Sequence, residues 1–174
     1  MKKSFTLIEL LIYIALAAII LNVGVYFIWQ IIEGKAKSIS YNEVLSNSRF
    51  VLEKISFEAK KAKSVEIPKN QGDESNELLL KTPNDSMVHF YLKEGKLILE
   101  RNGSTGILIS SFPITSEKIK ISEIKFKNLS PNQNRPATFQ VKIKLNYHNP
   151  FQRIEYQVEI ASQKTINLRD NNKD

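Results

Sequence analysis

Phe5-Thr6-Leu7-Ile8-Glu9-Leu10-Leu11-Ile12-Tyr13-Ile14-Ala15-Leu16-Ala17-Ala18-Ile19-Ile20-Leu21-Asn22-Val23-Gly24-Val25-Tyr26-Phe27-Ile28-Trp29-Gln30-Ile31-Ile32 decides how this chain is read. Besides tyrosine and tryptophan, its only polar side chains are Thr6, Glu9, Asn22 and Gln30. As a helix rising about 1.5 Å per residue it reaches roughly 42 Å, enough to cross a hydrocarbon core of about 30 Å. Lys2 and Lys3 precede it, and Lys35 and Lys37 follow it. With lysines at both ends, charge counting resolves orientation only weakly.

A cleaved secretory signal has a shorter apolar core ending in a small-x-small site, which Ala15-Leu16-Ala17 formally offers. Cutting there leaves Ala18–Ile32 as an apolar N-terminus that still needs a membrane. An uncleaved signal anchor accounts for the lysines and the span. It gives no reason for the carboxylate of Glu9, which costs about 2.5–3.5 kcal/mol at the centre of a membrane helix and less near its end.

The run Lys2-Lys3-Ser4-Phe5-Thr6-Leu7-Ile8-Glu9-Leu10-Leu11-Ile12 resembles the class III leader and N-terminal segment of type IV pilin-like proteins. The resemblance implies a leader over residues 1–4, with Lys2 and Lys3 as its charge. It also implies cleavage between Ser4 and Phe5 by a prepilin peptidase at the cytoplasmic membrane face, and methylation of the new Phe5 amine. Ser4 stands where glycine is commonest in the family; it is still a compact residue ahead of the scissile bond. Residues 5–32 are then the transmembrane and assembly segment, in the cytoplasmic (inner) membrane, with the C-terminal part on the periplasmic or extracytoplasmic side.

Such a cut gives Glu9 a use. It creates a cationic amine four residues away, one helical turn along the same face. By the resemblance, the same carboxylate meets the Phe5 amine of an adjacent subunit in a helical filament, where either charge left unpaired among apolar helices is strongly unfavourable. Glu9 therefore reads as an assembly residue.

Beyond the span, helical periodicity continues through Val44, Val51, Leu52, Ile55, Ala59 and Ala62, with no proline before Pro68. The expectation is an amphipathic continuation of the helix over 33–67, with bending or fraying at Gly34 and Ser38–Ser40. Arg49 and Glu53 lie one turn apart, and Lys60, Lys61 and Lys63 gather where a helix end favours cations. With no aromatic platform read beside them, these lysines are a solvated helix end rather than a nucleic-acid site.

From Glu77 the period becomes two, and residues 77–168 are expected to form an antiparallel sheet domain, followed by a polar tail over 169–174. Met87–Lys93 and Lys96–Arg101 flank Glu94-Gly95 as a tight hairpin. Gly106–Phe112, Lys118–Lys127, Phe139–Tyr147 and Ile154–Ile160 complete the expected strands, with His148-Asn149-Pro150 as the last turn. Lysines on one of the last two strands and glutamates on the other predict cross-strand pairing. Gln71–Asn76, Asn102–Thr105 and Ser130–Arg135 are expected loops, and the chain is polar from Asn167 onward.

The fold class is α+β: one long N-terminal helix, transmembrane then amphipathic, packed on a small antiparallel sheet. Arg49-Phe50-Val51-Leu52-Glu53, the Val88-His89-Phe90-Tyr91-Leu92 hairpin closing through Gly95-Lys96-Leu97, and Pro136-Ala137-Thr138-Phe139-Gln140-Val141 resemble J-type minor pseudopilins of type II secretion and related minor pilins. That implies a low-copy subunit near a filament tip, with other minor and major pseudopilins as partners. The retained Glu9 argues against the K-type tip subunit, which commonly lacks the acid.

Composition excludes several chemistries. The chain has no cysteine and only His89 and His148, so thiol catalysis, disulfides, and Cys-ligated or multi-histidine metal sites are ruled out. There is no Gly-x-Ser-x-Gly elbow and no phosphate-cradling glycine loop. Asp73-Glu74 and Asn84-Asp85 lack the spaced oxygens of a dedicated calcium loop. No enzyme activity and no cofactor are expected. The soluble part from Glu33 onward carries a net +6, which leaves phosphate attraction, and hence a DNA-uptake role, open. A signal-anchored binding domain that never polymerises is the alternative of another class.

Overall fold

A computed structural model of the chain describes residues 6–130 and 137–168. The leader, Phe5, most of the Ser130–Arg135 loop and the 169–174 tail lie outside the described residues.

A single helix, α1 (Leu7–Lys61), runs unbroken for 55 residues, about 82 Å at 1.5 Å per residue. It passes Gly34 and Ser38–Ser40 without interruption, correcting the expected bend. A Cβ at Gly34 would meet nothing within 4 Å, so that glycine answers no packing need. The C-terminal half buries Ser40, Val44, Ser48, Val51, Leu52, Ile55, Ser56 and Ala59. Serines eight residues apart keep this stripe thin where the sheet comes close.

The helix stops at Lys61, short of the expected 67. Ala62 turns extended, with its N–H returning to the Ala59 carbonyl, and Ser64–Ile67 becomes a strand, β1. The alternation of Ser64-Val65-Glu66-Ile67 ahead of Pro68 suits an edge strand. Then follow β2 (Glu74–Ser75), β3 (Leu78–Lys81), β4 (Met87–Lys93), β5 (Lys96–Asn102), β6 (Leu108–Pro113), β7 (Ile119–Asn128), β8 (Thr138–Tyr147), a 3-10 turn (Ile154–Tyr156) and β9 (Glu159–Asn167).

The strands form two antiparallel sheets in place of the single one expected, ordered β1-β3-β4-β5-β6 and β2-β7-β8-β9. Both bury alternate residues in one contiguous core with α1: Leu78, Leu80, Val88, Phe90, Leu97 and Leu99 from the first, and Phe126, Phe139, Val141, Ile143 and Leu145 from the second. The fold is thus α+β and pilin-like, a long helix on antiparallel sheets. The β4–β5 hairpin turns on Glu94 and Gly95 with φ of 53° and 75° and pairs Lys93 with Lys96, the two-residue turn whose twist matches paired strands. In β7 the register slips between Ile121 and Glu123, so Ile121 and Ile124 both face the core although three residues apart.

Two strand expectations fail near the end of the chain. Ile154–Tyr156 is a 3-10 turn, and the last strand starts at Glu159 and runs through Asn167. The connection from β8 therefore spans far more than His148-Asn149-Pro150. It is organised by Asn149, whose Nδ2 donates to the Arg153 carbonyl at 2.7 Å and whose Oδ1 accepts from the Arg153 N–H at 3.0 Å. At the other end, Leu168 is buried, so the chain stays structured past the Asn167 where the polar composition begins. The shift of β9 also removes the expected lysine–glutamate pairing: Lys144 faces Ala161 and Lys142 faces Gln163, and only Asn146 meets a glutamate, Glu159, at 3.2 Å. Gln71–Asn76 likewise contains β2, paired with Phe126 and Lys127 of β7.

Candidate functional site

The N-terminal half of α1 presents apolar side chains to its surroundings on every face. From Leu7 to Ile32 the large hydrophobic residues are half or more exposed, and none of the most hydropathic window is buried against the rest of the chain. By length and composition this half can cross a membrane. Two polar side chains inside it bond back onto the helix itself. Asn22 Nδ2 donates to the Ala18 carbonyl at 2.8 Å, and Gln30 Nε2 donates to the Tyr26 hydroxyl at 2.8 Å. Bonds one turn back are the kind a lipid environment requires, since no water is there to replace them.

The helix opens on a built cap. Thr6 has extended backbone angles, its Oγ1 accepts from the Glu9 N–H at 3.3 Å, and its carbonyl accepts from the Leu10 N–H at 3.2 Å. Thr6 and Glu9 thus hold the N-cap and third helical positions, where a hydroxyl and an acid complement unpaired N–H groups and the positive end of the helix dipole. Glu9 is partly covered, in contrast to its apolar neighbours. Ser4, Phe5, Lys2 and Lys3 lie outside the described residues, so the geometry of the expected cleavage site and of the Phe5 amine is not part of the structure.

The other singled-out residues fall elsewhere. Arg49 and Glu53, with Asn42, Leu45, Ser46 and Phe50, line a shallow depression on the outer face of α1. Phe57 does accompany the lysines at the helix end: Lys61 Nζ lies 3.9 Å and Lys54 Nζ 5.6 Å from its ring centroid. An aromatic is therefore present there, with amines already over its ring. Asp73 accepts from the N–H and Nδ2 of Asn70. Glu74 pairs with Lys127 at 2.9 Å and Asp85 with Lys81 at 2.9 Å. These lysines hold both carboxyls below the usual glutamate and aspartate values, first by hydrogen bonding and then by their charge.

The outer face of the four-stranded sheet adds Lys120 and Lys125 of β7 to the strand lysines read from the sequence, Lys142 and Lys144 of β8. Lys125 stands opposite Lys142, and Glu123 sits 3.3 Å from Lys125 and 3.9 Å from Lys144. Period-two alternation carried this signal, since the exposed positions of two neighbouring strands are mostly lysine. His89 is on β4, 3.0 Å from Glu77, and His148 is exposed in the connection after β8.

No family model, curated protein or solved structure matches the chain.

Proposed function

We propose that the chain is a minor pseudopilin, a structural subunit near the tip of a type II secretion pseudopilus that drives protein export. One observation carries the reading: an acid sits in the first turn of a wholly exposed apolar helix, and that helix continues without a break into the core of a globular domain. A membrane anchor alone needs the apolar surface. It needs neither the acid nor a rigid junction. A subunit drawn from bilayer into filament uses all three: the surface packs against neighbouring helices, Glu9 meets a neighbour's Phe5 amine, and the junction carries the domain along.

In this reading prepilin peptidase cleaves between Ser4 and Phe5, Phe5 is methylated, and the protein resides in the inner membrane with its sheets on the periplasmic side. Its partners are other minor and major pseudopilins. The work is mechanical, with energy from an assembly ATPase elsewhere and no catalytic group or cofactor of its own. N-terminal mass analysis of membrane-extracted protein tests this. The expected product begins at methylated Phe5; a chain retaining Met1–Ser4 where the peptidase is active overturns the assignment and leaves a signal-anchored binding domain.

The lysines facing outward on β7 and β8 favour a second reading, a minor pilin of a type IV pilus or DNA-uptake pseudopilus. It requires duplex DNA binding that weakens steeply as salt rises, because lysines would displace counterions from phosphates. The secretion reading requires instead a defined complex with companion minor subunits.

A further inference from the structure

Outside α1, the two most exposed large apolar side chains among the described residues are Phe151, at 84%, and Ile154, at 80%. They are held outward by a well-made loop. Asn149 brackets it through both of its side-chain hydrogen bonds to Arg153, and the Gln152 N–H donates to the Asn149 carbonyl. Tyr156 stacks on Tyr147 with ring centroids 5.5 Å apart, and Arg153 lies 5.4 Å from the Tyr156 ring and pairs with Glu155. These bonds fix the shape of the loop without covering either side chain. The loop presents both to the surroundings.

The loop's position along α1 identifies what they face. Ser162 of β9 contacts Ser48 of α1, hydroxyl to hydroxyl, at 2.8 Å. Ser116, just ahead of β7, bonds Asn47 and Glu43 of α1, and β7 pairs Ile119 with Tyr147, so the connection from β8 to β9, whose 3-10 turn also packs on α1, lies on the span side of the Ser48 contact. Past the exposed run, Ser40 is the first helix residue that is buried. It follows Ile32 by eight positions, about 12 Å of rise, so the domain begins close to the end of the apolar run.

We propose that Phe151 and Ile154 are a second membrane contact, inserted into the interfacial layer of the bilayer that α1 crosses. The inference rests on the membrane-spanning part of the reading above and not on pseudopilus assembly. Aromatic and aliphatic side chains on a rigid loop, flanked by tyrosines and an arginine, suit the headgroup–acyl boundary. With α1 as one attachment and this loop as the other, the domain stands on the membrane at a fixed angle, and withdrawing the subunit requires the loop to leave the lipid.

Trp29 is the single tryptophan and lies in the span, so two full-length proteins with one tryptophan each report on the two claims separately. Wild-type protein is reconstituted in phosphatidylcholine–phosphatidylglycerol vesicles beside a variant carrying Phe151→Trp and Trp29→Phe, each with lipids brominated at shallow or deep acyl positions. The wild type is expected to be quenched by bromolipid, which establishes the span independently. The variant is expected to show blue-shifted emission, quenching by shallow bromolipid and protection from acrylamide, all unchanged on tenfold dilution into lipid. Solvent-like emission with full acrylamide access in the variant, beside a lipid-quenched wild type, overturns the loop contact and spares the span. Shielding that disappears on dilution assigns the loop to a neighbouring protein and also overturns it. Loss of quenching in the wild type removes the span and this proposal together.

Discussion

Arg101 Nη2 on β5 lies 2.6 Å from Glu58 Oε1 on α1, and Lys54 Nζ approaches the same oxygen at 3.4 Å. The Glu58 side chain is only 5% exposed, so the last turns of the helix are tied to the five-stranded sheet through a buried carboxylate that cannot be left alone. Removing one partner of such a pair costs far more than the pair contributes against an apolar equivalent.

Arg101→Ala is accordingly expected to destabilise the protein by about 3 kcal/mol, the lower end of the range for breaking a buried pair, because Lys54 stays within reach. Glu58→Gln, which keeps the shape and removes the charge, should cost less. Urea unfolding of the full chain in detergent, followed by far-ultraviolet circular dichroism, measures both. Equal stability of Arg101→Ala and wild type would mean that the carboxylate is solvated.

Ser48 is buried at the close approach of α1 to β9 and shares a hydrogen bond with Ser162. Ser48→Ala should lose about 1 kcal/mol by leaving the Ser162 hydroxyl without that partner. Ser48→Leu forces added methylenes into the contact and should lose about 1–3 kcal/mol. The same unfolding assay ranks them wild type, alanine, leucine.

Glu9 lies over thirty residues before the first core residue of α1. Glu9→Ala and Glu9→Val are therefore expected to leave thermal unfolding of the sheets unchanged while reducing incorporation into filaments and export. Normal export and undiminished co-purification with the other minor subunits would reduce Glu9 to an interfacial group.

The pH dependence follows from two surface pairs. The carboxyls of Glu74 and Asp85 titrate below their ordinary values of 4.5 and 3.8 in the folded protein. For groups lowered on folding, the stabilisation is complete above the ordinary value and is lost as pH falls through the folded one. Both side chains are well exposed, so the effect is small. Glu74→Gln should lower the melting temperature slightly and by a constant amount above pH 4.5 and converge on wild type as the pH falls further, which flattens part of the acid limb, as read from melting temperature against pH.

The helix, the hairpin and the long strands were legible because their signals are local: an apolar run, a Glu-Gly turn and clean alternation over β8. What escaped depended on partners distant in the chain. Leu78-Leu79-Leu80 has no alternation to announce β3, and two-residue β2 exists only because β7 receives it. Ile154-Glu155-Tyr156 alternates as a strand should, yet the Asn149 bracket and packing on α1 hold it as a 3-10 turn. Glu9 and its place in a first turn could be read from the chain. The outward Phe151 could not, since exposure at a loop tip has no periodicity.

The unbroken α1 makes the bilayer half and the sheets one shaft. No slack linker separates them, so a pull or twist applied at Leu7 arrives at Lys61 undiminished apart from elastic bending. Each residue added between the two halves would advance the domain by about 1.5 Å and turn it by about 100°. Inserting two alanines after Lys37 would therefore swing the sheets to nearly the opposite side of the membrane anchor while leaving the chemistry of both halves intact.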